Sequence, residues 1–150
     1  MKNVIIRFVE ISDLEDLVRL CEQHAHFERS DYNPKNKKQK LGEHLFSDTP
    51  SLYCLVVERL GQLIGFTTFM KQFSTWDSDF YLYMDCLFLT EESRGYGIGK
   101  QLLDKIKKEA IRNQCGQIQW QTPNFNKRAI KFYNRIGAIS KKKERFFIRV

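Results

Sequence analysis

A short glycine-rich segment separates a strand pattern from a helix pattern in the second half of the chain. It reads Arg94-Gly95-Tyr96-Gly97-Ile98-Gly99-Lys100, and the preceding run Phe80–Leu89 is rich in aromatic and branched residues. Apolar residues then recur with helical spacing at Ile98, Leu102, Leu103, Ile106, Ala110 and Ile111. Glycines let a backbone turn sharply, and the free amides of a first helical turn hold anions. This order predicts an α/β domain with a pyrophosphate site at the loop.

Two other phosphate-binding loops fit this segment less well. A P-loop requires GxxxxGK followed by Ser or Thr, but Gly99-Lys100 is followed by Gln101, which has no hydroxyl for magnesium. A dinucleotide fingerprint requires GxGxxG in an N-terminal βαβ unit, whereas the spacing here is GxGxG. The form RGxGxG after a strand fits every position. A plain glycine-rich turn is the alternative without function.

The remaining patterns predict one layered α/β domain over residues 1–150, since no repeat or Pro/Gly/Ser-rich linker divides the chain. The predicted elements are strand Val4–Val9, a helix to about Phe27 or Glu28, a short helix ending near Phe46, strands Leu52–Glu58, Gln62–Phe73 and Phe80–Leu89, a helix ending before Gly116, strand Ile118–Thr122, a helix from Asn126 to Gly137 and a last strand at Phe146–Ile148. Asn126 is a typical helix N-cap, and Gly137 a typical helix stop.

Composition excludes several classes of protein. The chain is 42% hydrophobic, which allows a real core, and no run approaches the roughly 20 apolar residues that span a bilayer. The N-terminus is interrupted too early by charge for a secretory signal, so we expect a cytoplasmic protein without a membrane partner. The cysteines and histidines form neither CxxC nor HExxH, which predicts no metal site and ordinary helix or surface histidines. These residues are Cys21, Cys54, Cys86, Cys115, His24, His26 and His44.

A surplus of 25 basic over 18 acidic residues gives a formal net charge of +7. Such a surplus attracts anions, and a basic anion- or nucleic-acid-binding module without catalysis is the alternative from another class. The basic residues fall into separate short clusters, at 35–40, 105–108, 127–131 and 141–145, without interleaved aromatic residues. We therefore predict no nucleic-acid partner, because a small cofactor with several phosphates accounts for the surplus equally well.

A second motif lies about 30 residues downstream of the glycine loop, where residues 126–138 read NKRAIKFYNRIGA. Together with RGxGxG, this motif resembles the GNAT superfamily of N-acetyltransferases, and the likeness spans nearly the whole chain because the element order also agrees. The residues Arg7, Phe27-Glu28 and Tyr83-Met84-Asp85 stand at the spacing of the spermidine/spermine and thialysine N-acetyltransferase branch.

The resemblance implies a mixed, mainly antiparallel central sheet of about six to seven strands with helices on both faces. It implies transfer of acetyl from acetyl-CoA to a primary amine of a polyamine, a diamine or a lysine-like small molecule. The amine attacks directly in a ternary complex, and the enzyme is a metal-free homodimer. Acetylation of a protein or peptide amine is one alternative, and acetyl-CoA binding without catalysis is another.

The resemblance also implies which residues bind acetyl-CoA. The strand before the loop splays from its neighbour and offers its backbone to the pantetheine arm. The loop amides take the pyrophosphate, with basic side chains at the edges, and the helix that begins near Asn126 contributes from the other side. These residues are Leu87, Phe88, Leu89, Arg94, Gly95, Tyr96, Gly97, Ile98, Gly99, Lys100, Asn126, Lys127, Arg128 and Ala129.

Tyr133 resembles the general acid of the family, which protonates the departing CoA thiolate. A core tyrosine on an apolar helix face is the alternative. A lysine-like amine has a pKa near 10.4 and must lose a proton before it attacks. Asp85 stands where this branch carries a glutamate proposed as base; a water chain or a simple strand-edge carboxylate are the alternatives. We expect Cys86 to serve packing and not nucleophilic attack.

The acceptor site needs carboxylates for ammonium groups and an aromatic surface for alkyl chains. The implied substrate-binding residues are Phe27, Glu28, Trp76, Asp77, Asp85, Gln119, Trp120 and Gln121. Cys86 stands where the polyamine enzymes carry an aspartate, and Lys141–Lys143 replaces an acidic stretch. Because like charges repel a polycation, these departures argue against spermidine and leave room for a diamine, an amino acid or a lysine-like side chain.

Overall fold

A computed structural model describes residues 2–150 and places five strands of this range in one sheet. The strands lie side by side in chain order: β1 Val4–Phe8, β2 Tyr53–Arg59, β3 Gln62–Ser74, β4 Asp79–Leu89 and β5 Ile118–Gln119. The first four are antiparallel, and β5 runs parallel to β4. The helices are α1 Leu14–Phe27, α2 Lys37–Leu45, α3 Ile98–Arg112 and α4 Lys127–Arg135, with 3-10 turns at Ile11–Asp13 and Glu91–Ser93.

Helices cover both faces of the sheet, as the resemblance implied, because neighbouring residues of a strand point to opposite sides. Cys54 and Val56 pack against α1 and α2, whereas Leu55 and Val57 pack against α3. The first core contains Leu14, Leu17, Leu20, Leu45, Cys54, Val56, Leu63, Phe66 and Phe88. The second contains Leu55, Val57, Phe69, Leu82, Ile98, Leu102, Ile106, Ala110 and Cys115.

The prediction of six to seven strands is wrong. Residues 146–148 form no strand and are 89, 81 and 91% exposed, so this tail buries no apolar face that would hold it against the sheet. The predicted strand Ile118–Thr122 is shortened to two residues, Ile118 and Gln119. The sheet is mixed and mainly antiparallel, as predicted.

A β-bulge interrupts the alternation of β4 at Asp85. The adjacent β3 residues Thr68 and Phe69 are opposite Cys86 and Met84, which leaves Asp85 as an extra residue in β4. Even-numbered residues on the two sides of the bulge therefore point to opposite faces of the sheet: Leu82 lies in the core under α3, and Phe88 in the core under α1. Asp85 itself is exposed.

The predicted termini of α4 are confirmed. The Asn126 Oδ1 atom accepts a hydrogen bond from the Ala129 amide at 3.1 Å. After Arg135 the chain leaves the helix through Gly137, whose φ of +85° is readily adopted by glycine. Across residues 2–150 no helix has the length and apolar character needed to cross a bilayer.

Candidate active site

Each glycine of the loop between β4 and α3 has its own structural reason. Gly95 and Gly97 have φ values of +90° and +78°, which residues with a Cβ rarely adopt, and nothing lies within 4 Å of a Cβ built on either. Gly99 instead packs closely on α4, because a Cβ there would lie 3.3 Å from the Phe132 ring. The first two glycines shape the loop, and the third lets α3 and α4 meet.

The loop presents a row of peptide nitrogens to open space. No amide from Gly95 to Lys100 donates a hydrogen bond to any group in the described range, 2–150; Gln101, whose amide lies 3.1 Å from the Gly97 carbonyl oxygen, is the first to do so. The last three of these free amides belong to the first turn of α3, where the helix dipole adds positive potential. A diphosphate fits such a cradle of donors.

Arg94 does not point freely into the cradle. Its Nε atom donates to the Leu89 carbonyl oxygen at 2.8 Å, and its guanidinium lies 4.4 Å from the Phe27 ring centroid and 5.7 Å from that of Phe88. Burial lowers the pKa of Arg94, and the positive charge of Arg128 lowers it further. Arg94 thus ties α1 to the end of β4, and an anion bound here would offset the repulsion between Arg94 and Arg128.

The other predicted cofactor contacts of the helices lie on the surface around the loop. The Lys100 ammonium pairs with Asp104 one turn further along α3, at 2.7 Å. The Asn126 side chain is used in capping α4, while Lys127 and Arg128 are exposed in its first turn. The beginning of α4 therefore adds further positive charge to the α3 cradle.

β4 loses its second neighbour close to the bulge. β5 pairs with it only at Leu82 and Tyr83, after which Trp120 and its successors leave the sheet. Residues 84–89 of β4 therefore have β3 on one side and no strand of residues 2–150 on the other. This open edge leads directly into the glycine loop. An extended ligand with amide groups can bind such an edge as an added strand does.

The hydrogen-bond pattern between β3 and β4 determines which peptide groups of β4 face the open edge. The Thr90 amide donates to the Ile64 carbonyl oxygen at 3.0 Å, so alternation turns the peptide groups of Leu87 and Leu89 away from β3. The peptide groups of Phe88 point to β3 instead. In contrast to the sequence expectation, the backbone of Phe88 is therefore not available to a ligand at this edge, and its side chain belongs to the core under α1.

Tyr133 lies where α4 covers the end of β5. Its ring centroid is 5.0 Å from that of Trp120 and 5.2 Å from that of Phe132, the residue that packs on the glycine loop. Burial raises the pKa of Tyr133 to about 12, and the negative charge of Glu28 contributes. The phenol therefore stays protonated at neutral pH, as a proton donor must.

Asp85 brings a second carboxylate to the same side of the sheet as α1. Its Oδ2 atom accepts a hydrogen bond from the Cys86 thiol at 3.7 Å. Burial raises the pKa of Cys86 to about 12, and the charge of Asp85 acts in the same direction. Cys86 thus remains a thiol at neutral pH, which fits the expectation that it is not a nucleophile.

His24 lies beside this site, whereas the sequence alone predicts an ordinary helix or surface histidine. Its ring lies 5.3 Å from Phe88 and 6.0 Å from Phe66, between centroids, and its Nε2 atom is 3.5 Å from the Glu28 carboxylate. A signal was present in the sequence, because His24 follows Leu17 and Leu20 at helical spacing. A histidine on the apolar stripe of a helix is placed against the sheet.

Two predicted substrate residues do not join the site. Trp76 is 93% exposed at the tip of the β3–β4 hairpin, and Asp77 accepts hydrogen bonds there from Ser74 at 2.9 Å and Gln117 at 3.3 Å. At about 3.3 Å per residue, β4 separates this tip from Asp85 by roughly 20 Å.

The remaining predicted substrate residues flank β5 and the end of α1. Trp120 packs on Tyr133, while Gln119 and Gln121 are exposed on either side of it. Phe27 packs against Phe88, and its ring makes a cation–π contact with the Arg94 guanidinium.

An open strand edge that ends near a cradle of free amides fits an acetyl-CoA-dependent transferase. The model of the Acetyltransferase (GNAT) family matches residues 11–138. The chain belongs to this family and is an acetyl-CoA-dependent N-acetyltransferase.

Named relatives are similar over most of this chain. Thialysine N-epsilon-acetyltransferase of Bos taurus is 28% identical over 146 residues, covering 92% of this chain and 85% of the relative. Spermidine/spermine N(1)-acetyltransferase-like protein 1 of Homo sapiens is 26% identical over 141 residues, 89% of this chain and 20% of that protein. An aminoglycoside N-acetyltransferase solved in complex with CoA has the same fold, with a TM-score of 0.82 at 19% identity, over 98% of this chain and 95% of that one.

Proposed function

We propose that this protein acetylates a primary amine of a small diamine, polyamine or lysine-like molecule. The observation that carries the proposal is a pair of carboxylates: Asp85 lies in the part of β4 that has an open edge, and Glu28, at the end of α1, acts with Asp85 on the charge of His24. Carboxylates at a cleft attract ammonium groups and bind them through charge-assisted hydrogen bonds. The names of the relatives, which refer to thialysine and to spermidine and spermine, support an acceptor of this kind.

The residues of the glycine loop and the β4 edge fit the coenzyme. The amides from Gly95 to Lys100 hold the diphosphate. The peptide groups of Leu87 and the amide of Leu89, whose carbonyl oxygen already accepts from Arg94, bind the amides of the pantetheine arm. When bound, acetyl-CoA supplies the thioester that the amine attacks. Tyr133 would serve the sulfur that leaves when the thioester is cleaved.

The side chains divide the proton transfers between them. Tyr133 donates its phenolic proton to the departing sulfur, which lowers the cost of expelling a thiolate. The attacking nitrogen then loses its second proton through solvent, and Tyr133 regains one from solvent. Glu28 and Asp85 orient the acceptor ammonium and take part in removing its proton, without which its nitrogen has no free electron pair. The attack is direct, in a ternary complex, because Cys86 stays protonated and offers no thiolate. The homodimer implied by the resemblance and the cytoplasmic location expected from the N-terminal sequence stay predictions.

A panel of amines tests the proposal by following free thiol release from acetyl-CoA. The panel contains a thialysine-like diamino acid, spermidine, an aminoglycoside and a lysine-containing peptide. We expect the diamino acid to have the highest kcat/KM, because the exposed Lys141–Lys143 segment repels a longer polycation. A diamino acid with both side-chain and α-amines blocked is the control. Release with the peptide alone would contradict a small-molecule acceptor, and release with no amine would overturn the proposed function.

Gly65 of β3 sets the position of the β4 edge. A Cβ at this residue would lie 2.7 Å from the Phe88 carbonyl oxygen and 2.5 Å from the Leu89 side chain. We expect Gly65→Ala to push these strands apart, to lower the free energy of unfolding by about 1–3 kcal/mol and to weaken CoA binding. Urea denaturation and calorimetry measure the two effects.

Gly116→Ala is the matched control, because a Cβ there meets only an Asp79 carboxylate oxygen, at 4.0 Å. We expect it to leave both CoA affinity and stability close to wild type. Unchanged CoA affinity in Gly65→Ala would show that the β4 edge does not need this close approach.

A further inference from the structure

We propose that Glu28 and His24 form a proton relay, which carries the proton of the acceptor ammonium from the cleft to a buried imidazole. This inference rests on the proposed function. Glu28 contacts the acceptor, and His24 acts through Glu28 as a positioning and relay residue. Neither residue belongs to the glycine loop or to the α4 motif.

The two side chains lie one helical turn apart at the end of α1. The His24 Nε2 and Glu28 Oε1 atoms are 3.5 Å apart, and the side chains are 14 and 30% exposed. The imidazole is fixed from below by the rings of Phe66 and Phe88. The negative charge of Glu28 also raises the pKa of the Tyr133 phenol, so the same carboxylate acts electrostatically on the partly buried imidazole and on the proposed proton donor.

The charges around His24 suit a proton acceptor that is neutral at rest. Burial lowers the pKa of the imidazole, and the Arg94 guanidinium of the glycine loop acts in the same direction. Glu28 on its own helix and Asp85 on β4 oppose this by raising it. A neutral ring therefore predominates at pH 7, and the two carboxylates stabilise the imidazolium once a proton arrives.

The relay consists of two proton transfers. The N–H bond of the acceptor ammonium breaks and an O–H bond forms on Glu28, which leaves the free amine with its electron pair. Glu28 then passes the proton to the Nε2 atom of His24, which becomes an imidazolium and later releases the proton to solvent. A base whose pKa lies closer to the working pH than that of a carboxylate makes the removal more favourable.

The pH dependence of kcat/KM gives the decisive test, with the diamino acid as acceptor. In the wild type, kcat/KM should decrease at pH values below the pKa of His24, because a protonated ring cannot accept a proton. Between that pKa and the pKa of the amine, near 10.4, kcat/KM should not change with pH. We expect His24→Gln and Glu28→Gln each to lower kcat/KM at pH 7 by about 10²-fold. In both variants kcat/KM should rise about tenfold per pH unit, because only the free amine reacts. The double variant should be no worse than either single one.

His26→Gln is the matched control, since His26 is an exposed residue on the same turn of α1. It should keep the wild-type rate and pH profile. His24→Leu should have a free energy of unfolding close to that of the wild type, as measured by urea denaturation, and should keep its CoA affinity. Its kcat/KM should nevertheless lose the pH-independent region. A level profile in His24→Gln would overturn the relay and leave the acetyltransferase intact, whereas absence of thiol release in the wild type would overturn the proposed function itself.

A measurement without turnover supplies an independent check. In the free enzyme, the NMR titration of the His24 ring should give a pKa below the ordinary value of about 6.5, and Glu28→Gln should lower it further. No change in Glu28→Gln would contradict the coupling on which the relay depends.

Discussion

Replacing Tyr133 by phenylalanine is expected to lower kcat by about 10²–10⁴-fold, with little change in the affinity for CoA. The substitution removes one oxygen and keeps the ring that packs between Trp120 and Phe132. The departing sulfur then leaves as a thiolate without a proton donor. Because the wild-type phenol has its pKa raised to about 12, it is a donor over the whole working range, and the variant should be impaired at every pH below that value.

Tyr53→Phe is the matched control for this variant. Tyr53 begins β2 and stacks on Phe69 at 5.7 Å, on a part of the sheet without any proposed chemistry. It also loses one hydroxyl and should keep wild-type turnover. Thiol release and calorimetry with CoA separate kcat from binding. Wild-type turnover in Tyr133→Phe would remove this residue from the mechanism and leave the coenzyme cradle unaffected.

Replacing Gly97 by valine is expected to abolish CoA binding. At a φ of +78° a β-branched residue is strained by about 1–2 kcal/mol, so the loop relaxes and its amides no longer converge. Hydrogen bonds to a charged partner contribute about 1.5–3 kcal/mol each. The loss of two such bonds lowers the affinity by more than about 100-fold.

Gly61 provides a control with nearly the same backbone geometry. It turns the chain between β2 and β3 at a φ of +76°, and nothing lies within 4 Å of a Cβ built there. Gly61→Val should lower the free energy of unfolding as much as Gly97→Val does, and should bind CoA normally once folded. Equal losses of affinity in the two variants would attribute the effect to general destabilisation, and unchanged affinity in Gly97→Val would rule out the cradle.

The elements around the glycine loop could be predicted because their signals are local. The apolar stripe of α3, the Asn126 cap and the Gly137 stop depend on residues within a few positions of one another. The two motifs also identified the family, since they fix residue types where a backbone must approach an anion. The order of elements, predicted from the residue patterns, agreed with that family.

The parts that could not be predicted depend on contacts between distant segments. The bulge at Asp85 exists only in the register between β3 and β4, and the role of Phe88 depends on that same ladder. The burial of His24 requires the sheet beneath α1. At the C-terminus, Phe146–Ile148 is a short apolar run without alternation, a pattern that does not distinguish a strand from an exposed tail.

The extra residue in β4 makes this strand tolerant of substitution but intolerant of deletion. A different side chain at position 85 changes only what is offered to the cleft. Loss of the residue would invert Asp79–Met84 relative to Cys86–Leu89, so that Leu82 would turn away from the core it now fills. During evolution, the chemistry of this cleft can therefore be altered freely at the extra position, whereas the length of the strand is held constant by both cores at once.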